Sequence, residues 1–510
     1  MDKRKYAFPK RSLGLNAYPK ETKMFDSVLS AVLYYADITP DKLCIADDRS
    51  ALTYSEYADT VKKYASCLAE RGIKKGDYVV TEACQSIEYL AIELALQLIG
   101  AIFVPVEHNC GSSKIGLFAK KTNAKMIISV KDPLLSDFTC ITYEGLLECF
   151  NAARPMEVTG LPGSDDVSEI LFSTGTTGKE KGIILTHKND IALAQNVMYG
   201  VEMEKDNVEM IPSPMNHSHG LRRYYANMYN GCSVVILGSV MNMKLFFDNM
   251  DRYGVTAIDL VPAAASVVIK LSKNKLADYK DKLRYIQFGA APMPEQDKAR
   301  LSELLPNTRL YNFYGSTESG CTCLYNFNTV TPKAGCIGKP TCNTEFIIVN
   351  DDREPISSSE ANTGIIATKG DMNMLGYWQD KEETESVLEN GIIYSNDIGY
   401  IDEDGEVILL GRKGDVINVG GNKVSPEEIE STAKLFPSIA DCGCIPVEDS
   451  AKGFVPKLFV QMKRGEEFDS IKIRSFIASR LEPYKVPVYI VETEKIPRSY
   501  NGKLLRKELK

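Results

Sequence analysis

One polar stretch constrains this chain most: Ser173-Thr-Gly-Thr-Thr-Gly-Lys-Glu-Lys-Gly182. Apolar runs at 170–172 and 183–185 flank it and read as strands. Gly175, Gly178 and Gly182 let the backbone turn sharply and come close to a ligand. The hydroxyls of Ser173, Thr174, Thr176 and Thr177 and the ammoniums of Lys179 and Lys181 suit phosphate oxygens. The spacing is not that of a Walker A loop. A polar hairpin turn would show the same residues, so the loop alone leaves both readings open.

What surrounds it is an α/β pattern. Residues 55–71 repeat apolar side chains near a period of 3.6, with Gly72 as a candidate helix stop. Strands are expected at 78–81, 101–106 and 126–130, and a helix at 188–199. Strands at 232–237, 256–261, 285–288 and 309–313 then alternate with helical segments at 245–253, 263–271 and 295–304. In such sheets ligands gather beyond the carboxyl ends of strands. Here those ends carry Gly289-Ala-Ala-Pro292 and Tyr314-Gly-Ser-Thr-Glu318. The second of these offers an aromatic face, a hydroxyl and a carboxylate, although a capped strand-to-helix turn explains the pentapeptide as well. Asp397 precedes a hairpin turning at 403–405, and 411–415 reads as an interdomain linker. Ser425 as N-cap with Pro426 at the first position starts a helix in a small α+β unit of strands at 444–447, 458–462 and 486–491 and a helix at 471–481.

At 510 residues the chain exceeds one compact core, so two domains are expected. A net charge of −8 argues against a general nucleic-acid binder. The longest apolar stretch, 89–106, is broken by Glu93, Gln97 and Gly100 and reads as a buried helix running into a strand, not a membrane span. The start of the chain shows no signal-peptide pattern. The 13 cysteines are scattered and lack zinc-site spacing, which suggests reduced thiols and a cytoplasmic location.

Six motifs fall in one order: 173–182, 214–221, 312–318, 394–397, 411–430 and 497–506. By these the chain resembles the adenylate-forming superfamily, in particular the AMP-forming acyl- and aryl-CoA ligases, over about residues 25–510. The resemblance implies a large N-terminal domain (1–412) of stacked α/β sheets plus a β-barrel, and a small α+β C-terminal lid (413–510) hinged near Asp415. It implies that ATP activates a carboxylic acid, fatty or aryl, as acyl-AMP with release of pyrophosphate, and that CoA or a carrier-protein thiol takes the acyl group. Ser173, Thr174, Gly175, Thr176, Thr177, Gly178 and Lys181 would wrap the phosphates. Gly289, Ala290, Ala291, Pro292, Asn312, Phe313, Tyr314, Gly315 and Ser316 would line the adenine and acyl pockets. Thr317 would touch the α-phosphate and Glu318 would hold Mg2+. Asp397, with Arg412, would bind the ribose, and His217 would gate the acyl pocket. Lys503 would bridge carboxylate and α-phosphate, and Gly420 and Gly421 would pass the thiol. A homodimer is among the expected assemblies.

Amino-acid-activating members of that superfamily carry an Asp here to pair the α-ammonium; the segment 214–221 has no carboxylate, so the resemblance disfavours an α-amino acid substrate. Arg222 and Arg223 follow it; they are expected to be solvated or to face phosphate, with a second carboxylate on the substrate as the alternative. Three positions depart from the family pattern: Glu180 in place of Pro, Asn396 in place of Gly, and Gly414 where Lys is common.

Overall fold

The computed structural model describes residues 24–174, 180–291, 293–328, 333, 335–420, 422–449, 453–498 and 504–509. Two sheets and a separate small one carry the fold. In the seven-stranded sheet the order runs Gly376–Tyr377, Glu180–Thr186, Val167–Thr174, Ile102–Val106, Tyr78–Glu82, Met126–Ser129, Cys140–Thr142. Strands 102–106, 78–82 and 126–129 are parallel, whereas Val167–Thr174 and Glu180–Thr186 form an antiparallel hairpin. The 14-stranded sheet has a parallel half built from Ser233–Ile236, Val208–Ile211, Ala257–Leu260, Tyr285–Phe288 and Arg309–Ser316. Its antiparallel half continues from Gly320–Asn326 through Cys336–Pro340, Val407–Arg412, Ile392–Ile401 and Gly364–Lys369.

Helices Ile87–Ile99, His187–Gly200 and Ser218–Asn230 share one apolar core with strands of both large sheets. A helix covered on all sides needs no polar face. Ile87–Ile99 meets that requirement with mostly aliphatic residues, capped by Ser86 and stopped by Gly100 in the left-handed region. Ser218–Asn230 does not: every residue from His219 to Asn230 is buried, two arginines included. Those charges must be matched inside the protein.

The small unit pairs Ile439–Asp449 with Gly453–Met462 and adds Ile417–Val419, Asn422–Val424 and Tyr489–Glu492. Helices Pro426–Lys434 and Ser470–Ala478 cover it, and Ile417, Ile429, Leu458, Ile473 and Ile490 belong to a core of its own. Ser425 caps the first helix as expected, accepting from the Glu428 N–H. Contact with the rest includes a Gln296 amide donating to the Lys434 carbonyl at 3.1 Å.

Candidate active site

The hairpin Arg309–Ser316/Gly320–Asn326 is the centre of the site. The capped strand-to-helix alternative for 314–318 does not hold, because the chain turns at 317–319 and returns as an antiparallel strand. The turn is tight because Gly315 has no side chain: a Cβ there would lie 1.7 Å from the Gly320 carbonyl oxygen. Ser316 Oγ accepts from the Ser319 N–H (3.1 Å), and the Met374 N–H binds the Glu318 carbonyl (2.8 Å). Thr317 Oγ1 is 3.2 Å from Ser218 Oγ.

The arginines behind this turn are neither solvated nor exposed. Arg222 donates to the carbonyls of Ser316 and Thr317, both at 3.0 Å. Burial pulls its pKa down to about 10, which still leaves it charged at neutral pH. Arg223 makes a two-pronged pair with Glu209, both contacts at 2.6 Å. The expectation of solvated arginines fails because the helix carrying them is wedged between two sheets, which a local 12-residue pattern does not reveal.

A second corner belongs to Lys181. Its ammonium contacts the Glu383 carboxylate and sits 5.1 Å from the centre of the Tyr377 ring. The Tyr377 hydroxyl donates to Glu318 Oε1 at 2.9 Å. Glu180 opens the return strand and pairs across to Thr174. Its carboxylate lies 3.5 Å from Lys114 Nζ and its carbonyl accepts from Lys121 (3.4 Å). Two lysines of helix Ser112–Thr122 therefore hold the arm that a Pro would otherwise stiffen.

At the third corner the Tyr314 hydroxyl donates to Asp397 Oδ2 (2.5 Å), and Arg412 Nε lies 3.9 Å from Asp397 Oδ1. Asp397 and Arg412 are direct cross-strand partners, so the pairing register alone sets them face to face. Asn396 lies in the extended strand Ile392–Ile401, so no left-handed conformation is asked of it. Beyond Arg412, Lys413 pairs with Asp351 at 2.7 Å, and Gly414 borders open space. Residues 411 and 412, expected in a linker, belong to the strand Val407–Arg412.

The fourth corner is apolar. Phe313 lies over Gly289, where a Cβ would meet the ring at 1.7 Å. His219 stacks on the Phe313 ring, 4.9 Å between centroids and 14° from parallel. His219 Nε2 is 2.9 Å from Asp259 Oδ1, and Ser213 donates to Asp259 Oδ2 at 2.5 Å. Ala290 has φ +70°, a left-handed conformation that costs an L-residue about 1 kcal/mol or more. His217 stands at the N-cap position of helix Ser218–Asn230 without a side-chain cap bond and is exposed, and desolvation lowers its pKa.

A family model described as AMP-binding enzyme matches residues 34–378, and one for the AMP-binding enzyme C-terminal domain matches 428–503. The chain belongs to the AMP-binding enzyme family. This AMP-binding enzyme is 30% identical over 493 residues to a 2-succinylbenzoate–CoA ligase of Geobacillus kaustophilus, covering 93% of this chain and 96% of the relative. It is 28% identical over 524 residues to a 4-coumarate–CoA ligase of Arabidopsis thaliana, covering 97% and 91%. The fold is that of ATP-bound MatB from Rhodopseudomonas palustris, with a TM-score of 0.83 at 23% identity over 95% of this chain and 99% of that one. As a family member it is an AMP-forming acid–CoA ligase, using ATP and CoA.

Of the residues expected from the sequence of this AMP-binding enzyme, Ser173, Lys181, Gly289, Ala290, Phe313, Tyr314, Gly315, Ser316, Thr317, Glu318, Asp397 and Arg412 fall in or beside these four corners. Ala291 follows Ala290 in the same segment. Asn312 adjoins Phe313 and has a buried Oδ1 with no partner among the described residues. Gly420 (φ +57°) stands in the turn between Ile417–Val419 and Asn422–Val424, bordering open space. Gly175, Thr176, Thr177, Gly178, Pro292, Gly421 and Lys503 lie outside the described residues, as does the side chain of Thr174. Sequence reasoning missed Tyr377, Glu383 and Asp259, which come from distant segments and carry no motif of their own.

Proposed function

We propose that the four corners are one adenylation site and that its substrate is a fatty or aryl carboxylic acid. The carrying observation is the hairpin Arg309–Ser316/Gly320–Asn326: Lys181 meets its turn at Glu318 through Tyr377, Asp397 meets its first strand at Tyr314, and His219 meets that strand at Phe313. The unpartnered Asn312 Oδ1 suits the exocyclic amine of adenine, and Asp397 suits two ribose hydroxyls. The flat His219–Phe313 pair beside Gly289 suits an apolar or aromatic acyl group. Arg222 and Arg223 make internal contacts, so neither of these two is offered to a second carboxylate on the substrate.

Glu318 fits Mg2+. Its Oε1 accepts the Tyr377 hydrogen bond, and a single carboxylate is what this ion needs when phosphate oxygens and water complete its shell. Mg2+ would neutralise charge on the phosphates. The one acidic triad among the described residues, Asp402, Asp404 and Glu406, is already bridged by Lys333 at 2.7 Å to each.

In the first step a carboxylate oxygen bonds to the α-phosphorus and the bond to the bridging oxygen of pyrophosphate breaks. An anion there approaches a polyanion; two unit charges at 4 Å repel by about 4 kcal/mol at an effective dielectric of 20. Lys181, the hydroxyl of Thr317 and, by resemblance, Lys503 offset this. In the second step the CoA sulfur bonds to the acyl carbon, the carbon–oxygen bond to AMP breaks, and the thiol proton passes to solvent. Residues 413–510 would act as a lid hinged at Asp415, whose carboxylate lies 3.5 Å from Arg506 Nε in the tail. No helix among the described residues is long and apolar enough to cross a membrane. All 13 cysteines are free thiols, which supports a cytoplasmic setting.

The test separates the half-reactions. Lys503→Ala should abolish acyl-AMP formation while sparing thioester formation from supplied acyl-AMP; equal loss of both would refute the lid role. Transfer to a phosphopantetheinyl carrier protein but not to free CoA would replace the CoA reading.

A further inference from the structure

Tyr377 touches both side chains on which the phosphate end of the site depends. Its hydroxyl donates to Glu318 Oε1 at 2.9 Å, and its ring lies under the Lys181 ammonium at 5.1 Å. Lys181 and Glu318 have no backbone connection to each other: one is in the seven-stranded sheet, the other in a turn of the 14-stranded sheet. Tyr377 spans that gap from a fixed position. It is 7% exposed, its N–H donates to Thr384 Oγ1 (2.8 Å), and it pairs with Ile183, two residues beyond Lys181. The same turn is tied to this segment a second time, through the Met374 N–H and the Glu318 carbonyl. Burial and the Glu318 charge raise the phenol's pKa, so it stays a neutral donor.

A phenol that donates to one carboxylate oxygen fixes the rotamer and leaves the other oxygen to face a cation. A ring face under an ammonium limits where that ammonium can go. We infer that Tyr377 is a positioning residue that couples the lysine for the nucleotide phosphates to the glutamate for the divalent cation, so that ATP and Mg2+ bind cooperatively. The inference rests on the assignment of Glu318 to Mg2+ made above.

The experiment is calorimetric binding of ATP to the full-length protein across a Mg2+ series, without acid or CoA. Wild type should bind ATP more tightly as Mg2+ rises, and Glu318→Gln should lose that gain. Tyr377→Phe keeps the ring and removes only the donor. It should bind ATP without Mg2+ as wild type does, lose about tenfold of the Mg2+-dependent gain, and keep its melting temperature. Tyr377→Leu should also weaken binding without Mg2+. A Tyr377→Phe variant with the wild-type Mg2+ response, while Glu318→Gln loses it, overturns the coupling alone. So does equal weakening with and without Mg2+ together with a lowered melting temperature. A wild type indifferent to Mg2+ overturns the Glu318 assignment and the coupling together.

Discussion

Gly315→Ala is the smallest change that should disable the site. The new methyl would lie 1.7 Å from the Gly320 carbonyl oxygen, 2.8 Å from its carbon and 3.2 Å from Cys321 Cα. A carbon–oxygen contact settles near ~3.3 Å, so the facing backbone must retreat by about 1.5 Å. No flexible side-chain tip can absorb that shift. The retreat breaks the ladder at Gly315–Cys321 and Ser316–Gly320. Two lost backbone bonds at about 1 kcal/mol each, with overpacking of ~1 kcal/mol or more, give about 3 kcal/mol. At about 2.1 cal/mol/K per residue, a domain of about 400 residues turns that into a melting shift of about 4 °C. Because Thr317 and Glu318 ride on the same turn, a displacement near 1 Å should cost about 100-fold in acid-dependent ATP–pyrophosphate exchange. Gly160→Ala is the control, since its Cβ meets nothing within 4 Å. A Gly315→Ala protein that melts within about 2 °C of wild type and exchanges pyrophosphate normally would refute the argument.

Arg222→Met should keep the fold of the helix but leave the Ser316 and Thr317 carbonyls unpaired, lowering kcat for adenylation about 100-fold, read by exchange kinetics. Tyr314→Phe retains the ring and removes the donor to Asp397; the KM for ATP should rise about tenfold with kcat little changed. His187 is buried, has an unpartnered Nδ1 among the described residues, and burial lowers its pKa to about 4. Between about pH 6.5 and 4 the unfolded chain takes a proton that the folded protein refuses, so this group's contribution to stability is complete above 6.5 and falls by up to about 3 kcal/mol on acidification. Denaturation midpoints followed over that interval should slope less in His187→Leu; an identical slope would exclude His187 as the cause.

Local patterns were most legible where a segment answers to its own residues. The helix Glu295–Leu304 and the strand Tyr285–Phe288 match the periodicity reading to the residue. The Ser425–Pro426 start is there because capping chemistry acts within one turn. Reading fails where tertiary context decides. Arg222 and Arg223 look like surface residues until two sheets close over their helix. The strand Arg309–Ser316 runs three residues beyond the apolar stretch because Gly315 admits the partner strand's carbonyl, a contact that periodicity does not encode. For the candidate site, collinear motifs single out Lys181, Glu318 and Asp397 in the sequence, but Tyr377 and Glu383 are found only by folding, since what marks them is a position beside Lys181 and not a residue pattern.

The most direct test of the whole account is acid-dependent exchange of labelled pyrophosphate into ATP, run over a panel of fatty and aryl acids without CoA and followed by addition of CoA. Adenylation at this site predicts exchange with at least one acid before CoA is present, and then AMP and thioester in equal amounts once it is added. Absence of exchange with every acid, or release of ADP in place of AMP, would contradict it.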